Sequence, residues 1–380
     1  MLDQTDYDEE KIDTAPLLLM VQKYQWKDAL KRIQEFPEEC KAVGTLGRTP
    51  LHWAVDHDAP EEVIRALTRT YPQACLQVGT TGMNPLHIAC SSDHASAESV
   101  RVLLMESAKV HMAEQMVSMR DVDQDTPLHS ACRCGASIDV MRLLMLVHPD
   151  AVNQRDYEGL TPVLRLWVRE YVLLGGDAIS NVKGPEDLVG ELGEAWKKTM
   201  LMMYCAYMGS LKPLEGVEPT KKVFRPLHAV AAIDCPRRVI KIATIVYKDQ
   251  LSVRDENGMT PLLIACQAPV YKFQDIADDG ADLEDMLEDH LYADGDDTEM
   301  AQEGDDDGSP RTGLPSVIDL LMEAEPSASK IADPTGKLPL QLAKESGKKR
   351  SEGIRALTDA EGLEADMENT LKITTAVEAK

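Results

Sequence analysis

The sequence predicts an all-α fold, a solenoid of short stacked helix pairs. Three observations lead there: one octapeptide recurs along the chain, its residues spell a turn followed by a capped helix, and hydrophobic content of 43% comes with only 4% aromatics. Closely packed short helices use alanine, leucine and valine in that proportion, leaving little room for large rings. The first copy is Gly47-Arg-Thr-Pro-Leu-His-Trp-Ala54, and related octapeptides contain Pro85, Pro127, Pro162, Pro226, Pro261 and Pro339. Successive marker prolines lie 35, 42, 35, 64, 35 and 78 residues apart, so the long intervals read as one unit plus an insertion.

Each residue of the octapeptide has a local task. Threonine before proline opens a helix, because its hydroxyl serves an orphan backbone N–H and the proline ring is already set to helical φ where no donor is needed. The glycine two residues earlier takes the left-handed backbone of a tight turn. On these residues the chain resembles the ankyrin repeat family, whose unit of about 33 residues carries Thr-Pro-Leu-His-x-Ala. The resemblance spans residues 14–358 in about eight repeats, some degenerate. It implies an ankyrin-type α-solenoid of helix-turn-helix units joined by hairpin fingers, which works by binding other molecules.

Composition narrows the function classes. The 380 residues carry a net charge of -25, from 40 basic and 65 acidic side chains, which disfavours nucleic acid as a partner. The eight cysteines lack paired spacing, and Cys90, Cys132 and Cys266 occupy one equivalent helix position, as small buried residues in a reducing compartment would. The acidic N-terminus is unlike a targeting peptide, and the longest apolar run, 199–211, is too short to span a bilayer. The expectation is a monomeric cytoplasmic protein, with the nucleus as an alternative, without membrane or nucleic-acid partners.

Along the chain, residues 1–13 are expected to be a disordered acidic N-terminus, and a degenerate first repeat follows at Pro16, with a second helix around Trp26 to Phe36. Later second helices start at Asp58-Ala-Pro60 and Asp234-Cys-Pro236, read as an aspartate cap with proline in the first turn. A further proline, at 37, 72, 149 or 326, is expected to stop the helix and turn the chain outward. Aspartate ahead of glycine marks the fingers, and Gln124 and Val223, which stand where glycine is usual, predict altered finger geometry.

Two insertions interrupt the register. Residues 173–193 interrupt the fifth repeat; Leu173 to Asp187 reads as a loop, and Leu188 to Met208 as an unusually long second helix whose end reads as core. Residues 274–313 interrupt the seventh, and Gln274 to Pro310 holds 16 acidic residues and no lysine or arginine, the composition of a disordered segment. Residues 359–380 form a weakly patterned tail.

The chemical motifs point away from catalysis. His52, His87, His129 and His228 recur at repeat spacing, too far apart for metal ligands; the resemblance makes them structural hydrogen-bonding residues. Cys132-Arg-Cys134 lacks a second pair, and Asp121-Val-Asp-Gln-Asp125 lacks the glycine and glutamate of a calcium loop. Neither a phosphate cradle nor a nucleophile elbow is present. The expectation is therefore no enzyme, no cofactor and no metal.

The resemblance further implies that fingers and first helices line a concave surface for partners. By position that surface includes Arg48, Asp56, His57, Met83, Asp123, Asp125, Arg133, Tyr157, Leu160, Arg169 and Met259. The predicted function is a scaffold or adaptor that binds a protein there. The alternative makes the acidic insertion the working part, binding a basic partner or divalent cations with the repeats as support.

Overall fold

A computed structural model of the chain describes residues 15–91, 96–174, 181–209, 223–269, 316–348 and 353–360. The expected N-terminal segment 1–13, the acidic insertion 274–313 and the tail beyond 360 lie outside the described residues. Among the described residues every regular element is a helix. In order these are α1 (Pro16–Gln22), α2 (Trp26–Glu35), α3 (Pro50–Asp56), α4 (Glu61–Thr70), α5 (Pro85–Ser91), α6 (Ala97–Ala108), α7 (Ala113–Ser118), α8 (Pro127–Cys134), α9 (Ile138–Val147), α10 (Pro162–Leu174), α11 (Gly190–Met208), α12 (Pro226–Ala232), α13 (Arg237–Val246), α14 (Pro261–Gln267), α15 (Val317–Ala324) and α16 (Pro339–Glu345), with a last helix over 354–360.

The chain divides into two compact units, one running to Arg169 and taking in the stretch that begins at Lys197, the other holding Glu170–Trp196 and the residues beyond Gly216. In the first unit the inner helices α1, α3, α5 and α8 stack in chain order, and the outer helices α2, α4, α6 and α9 stack in parallel with them. In the second unit α12, α14 and α16 form the inner row, and α13 packs on α15. Each unit is thus a run of an all-α solenoid. The motif leucines Leu51, Leu86 and Leu128 are fully buried, so truncating any one to alanine costs about 2–5 kcal/mol.

Inner helices begin where the octapeptide predicts, at the marker proline. The second helices depart from the expected capping. Pro60 and Pro236 are themselves the N-cap residues of α4 and α13, and neither helix has a side-chain cap. Asp58 instead takes a left-handed φ of 45° and accepts the Ser99 hydroxyl at 3.0 Å, so its carboxylate ties the second repeat to the third. The prolines at 37, 72, 149 and 326 do not turn the chain outward either. Each opens a one-turn 3-10 helix (Pro37–Lys41, Pro72–Leu76, Pro149–Asn153, Pro326–Lys330) that returns a small apolar residue, Cys40, Ala74, Ala151 or Ala328, to the core.

The third repeat carries seven extra residues between markers, and they form α7. In the fifth, the 3-10 turn Pro185–Asp187 leads into α11, on which Met202, Met203 and Cys205 are buried. The Trp167 indole N–H donates to the Thr199 hydroxyl at 2.7 Å, which anchors that helix within the first unit.

Fingers close by a recurring pair of main-chain and side-chain bonds. The Asp121, Asp156, Asp255 and Asp333 N–H groups donate to the carbonyl four residues on, and each aspartate Oδ1 accepts the N–H of that same residue, at 2.8–3.0 Å throughout. Gln124 adopts φ 60° in the place of glycine, so the fourth finger keeps the shared geometry rather than an altered one. Val223 directly follows residues outside the described set. Successive fingers are joined edge to edge: Thr80 N–H donates to Leu46 O at 2.9 Å, Val122 N–H to Thr81 O at 3.2 Å, and Tyr157 N–H to Asp123 O at 2.8 Å. Gly82 has φ +73°, and an added Cβ would meet the Val122 amide nitrogen at 2.9 Å, so only glycine lets the third and fourth fingers meet so closely.

The motif histidines cross-link the repeats. The ring Nδ1 of His129 faces the Thr126 hydroxyl at 2.9 Å and accepts the Thr126 N–H at 3.2 Å, while Nε2 reaches Leu160 O of the next finger at 3.2 Å. His52 makes the same cap with Thr49, and His228 Nε2 reaches Val253 O at 3.0 Å. Burial pushes His52, His87 and His129 from an ordinary 6.5 down to about 4. On the outer row, Glu106 is buried and accepts Arg69 at 2.9 and 3.0 Å and Lys109 at 2.8 Å; the Arg69 bonds hold it down to about 2.

Depressed histidines make the fold acid-sensitive. The unfolded chain takes up their protons near pH 6.5 and the folded chain only near 4, so stability falls as pH drops through that window. Asp125, raised by burial to about 6, and Asp121, also raised by burial, work in the opposite direction, but they are two groups against four, since burial lowers His228 as well. Glu106 extends the loss from its ordinary 4.5 towards 2. The thermal midpoint should therefore decline steadily from pH 6.5 to pH 4, and less steeply in His129→Gln; a flat profile between these values would contradict the assignment.

Candidate partner-binding surface

The flank of the first unit that carries the fingers and the inner helices presents two contiguous clusters. The first spans repeats one and two. Arg48 lies just before the cap of α3, and its guanidinium runs along the helix to donate to Asp56 at 2.8 Å while sitting 5.0 Å over the Trp53 ring. His57, at the end of α3, stacks on Tyr24 with centroids 4.5 Å apart and planes 12° from parallel, and its edge meets Trp53 at 5.6 Å. Arg48, Asp56 and His57 are all half-buried.

The second cluster belongs to repeats four and five. Arg133 reaches Asp125 at 2.9 Å and stands 4.0 Å from Asp123. Asp123 and Tyr157 are exposed, Tyr157 at 78%, and the main-chain bond between them fixes their spacing. Arg169 is half-buried, its guanidinium lying flat on Gly135, where an added Cβ would meet it. Met83 is half-buried in the third finger, away from both clusters. Met259 is half-buried in a finger of the second unit.

Two residues assigned to this surface from sequence are not on it. Asp125 and Leu160 are 0% and 2% exposed. Both directly precede the capping threonine, and the carbonyl of each takes a histidine Nε2 of the preceding repeat, Asp125 from His87 and Leu160 from His129. That bond draws the residue inward, so its side chain is sealed behind the finger.

The structure also adds residues that position alone did not single out. Tyr24 is 59% exposed with φ 59°, a left-handed conformation that costs a bulky residue about 1–3 kcal/mol and that the equivalent sites fill with Asp58 or Gly135. Leu46 and Val122, fingertip residues that position along the repeat already assigns to this surface, are 53% and 62% exposed. Arginines set the finger spacing: Arg120 donates to Arg155 O at 2.8 Å, and Arg254 to Ala332 O at 2.7 Å. The arginine-aspartate dipeptides at 120, 155 and 254 are the signal that would have revealed them.

A charge pair eight residues apart closes within single repeats. Arg48–Asp56 recurs as Lys337–Glu345 at 2.7 Å and, with the signs reversed, as Asp125–Arg133. Among the described residues no group of three or more histidine, cysteine, aspartate or glutamate side chains is arranged to hold a metal ion, and no helix is long and apolar enough to cross a membrane.

A family model described as ankyrin repeats in three copies matches residues 17–114, and one described as an ankyrin repeat matches 123–157. No curated protein matches the chain.

Reversal of the pair in the fourth repeat predicts that the second tolerates it too. Arg48→Asp and Asp56→Arg singly should each lower stability by about 0.5–1 kcal/mol, and the double variant should recover most of the loss, as read by urea denaturation. Losses that simply add would mean the pair is not coupled.

Proposed function

The chain is an ankyrin repeat protein, and from that premise we propose that it is a scaffold that binds a protein partner along the finger-bearing flank of its first unit. Ankyrin repeats generally mediate protein–protein interactions. One observation carries the placement: Leu46, Val122 and Tyr157 are exposed fingertip side chains held in one row by main-chain bonds between fingers. Such a row is ordered before any partner arrives, so little conformational entropy is lost on docking. Tyr157 is of the type that carries most interface energy, and Leu46 and Val122 are the apolar neighbours that exclude water around such an anchor.

The charged groups beside the row are already matched within the chain. Arg48 pairs with Asp56, Arg133 with Asp125, and Arg165 with Asp156 and Glu158. Apolar contact then supplies the affinity, with the half-buried Met83 adding apolar surface on the third finger, and polar neighbours such as Asp123 and the half-buried Arg133 and Arg169 tune specificity. Met259 extends the same role to a finger of the second unit.

A second reading rests on charge alone. Gln274 to Pro310 carries 16 carboxylates and no lysine or arginine, which suits a basic partner. The two readings differ in salt response, since apolar contact is insensitive to screening and an ionic one is not.

The test is quantitative affinity capture with the full chain. Leu46→Ser, Val122→Ser and Tyr157→Ala combined should remove the specific partners at least tenfold while leaving the thermal midpoint unchanged. Retention of the same partners would overturn the flank reading, and loss of them on deleting 274–310, together with release by moderate salt, would favour the second.

A further inference from the structure

The four motif histidines are not equivalent, because the third repeat replaces the capping threonine with Asn84. At His129 the arrangement is self-consistent. A threonine hydroxyl and an amide N–H both donate to Nδ1, so the ring proton sits on Nε2 and points at Leu160 O. A hydroxyl turns to suit; an amide oxygen only accepts.

At His87 the amide cannot turn. Asn84 Nδ2 donates to Met116 O of α7 at 2.9 Å, and Asn84 Oδ1 accepts the His87 main-chain N–H at 3.0 Å, so two fixed main-chain groups determine which end of the amide is oxygen. That oxygen also lies 2.8 Å from the His87 ring Nδ1. On the other side of the ring, Nε2 lies 3.0 Å from Asp125 O in the fourth finger. Both nitrogens therefore face acceptors at hydrogen-bond distance. The Asn84 N–H donates to Nδ1 as well, at 3.3 Å, so this nitrogen is offered an acceptor and a donor together. A neutral ring has one proton for the two acceptors, and a second is opposed by burial and by the Arg133 guanidinium on α8.

We infer that His87 is a two-position coupler, whose single ring proton holds either Asn84, and through it α7, or the fourth finger. With the proton on Nδ1, the Asn84 cap and its bond to Met116 are supported and the Asp125 carbonyl loses its donor. With the proton on Nε2, the fourth finger is held as in the other repeats and the Asn84 oxygen meets a lone pair. The fourth finger carries Asp123 and, through Asp125, Arg133, so anything that clamps this finger draws the proton to Nε2 and loosens α7. The coupling is independent of which partner binds, and of whether one does.

The experiment uses the full chain labelled with ¹⁵N-histidine, with His87→Gln to assign the ring signals. Long-range ¹H–¹⁵N correlation should show His129 in the Nε2–H form alone and His87 with nitrogen shifts averaged between the two forms. Asn84→Thr should convert His87 to the His129 pattern. It should also slow hydrogen exchange at the Val122 amide about fivefold, the scale of one hydrogen bond, and speed exchange at Met119 behind α7 by a similar factor. Threonine and asparagine both cap helices, so the variant keeps the fold; Asn84→Ser repeats the test with a smaller hydroxyl. A wild-type His87 already in the pure Nε2–H form would overturn the inference. Exchange at Val122 and Met119 moving in the same direction would do so too, since a general change in stability moves both together.

Discussion

Everything in the first unit rests on main-chain groups of one repeat being satisfied by the next. The motif histidine reaches forward to a finger carbonyl, and each finger donates an amide to the carbonyl of the one before. A buried polar group left without a partner costs about 1–3 kcal/mol, so these bonds act less as attraction than as a constraint on how adjacent repeats can sit. Leucine burial supplies the driving force but would tolerate sliding. The polar rungs do not, and they give the fingers a fixed spacing.

That constraint explains what could be read in advance and what could not. Inner helices were legible because their start signals are local: a threonine, a proline and an apolar face within eight residues. The burial of Asp125 and Leu160 was not, since position on a finger says nothing of a carbonyl spoken for by a histidine more than 30 residues earlier. Asp58 was misread for the same reason, as a cap for its own helix when its carboxylate serves Ser99 of the next repeat. Gln124 shows the reverse case, in which the finger's own bonds force a non-glycine residue into the left-handed region.

The binding surface was legible in outline only. Arg48, Asp56, His57, Asp123, Arg133 and Tyr157 gather into the two clusters, while the most conspicuous strained residue, Tyr24, gave no sign of itself. It stands at a turn position that asparate or glycine fills in other repeats without difficulty. Its stacking on His57 depends on the angle between two helix pairs, which no local pattern encodes.

The eight-residue charge pairs carry a different kind of consequence. Because each cation finds its counter-ion inside its own repeat, reversing both signs leaves the neighbouring repeats undisturbed. The fourth repeat carries aspartate then arginine where the second carries arginine then aspartate, on the same backbone. A modular chain wired in this way can rewrite the electrical texture of its finger-bearing flank one segment at a time, free of any need for matching changes next door.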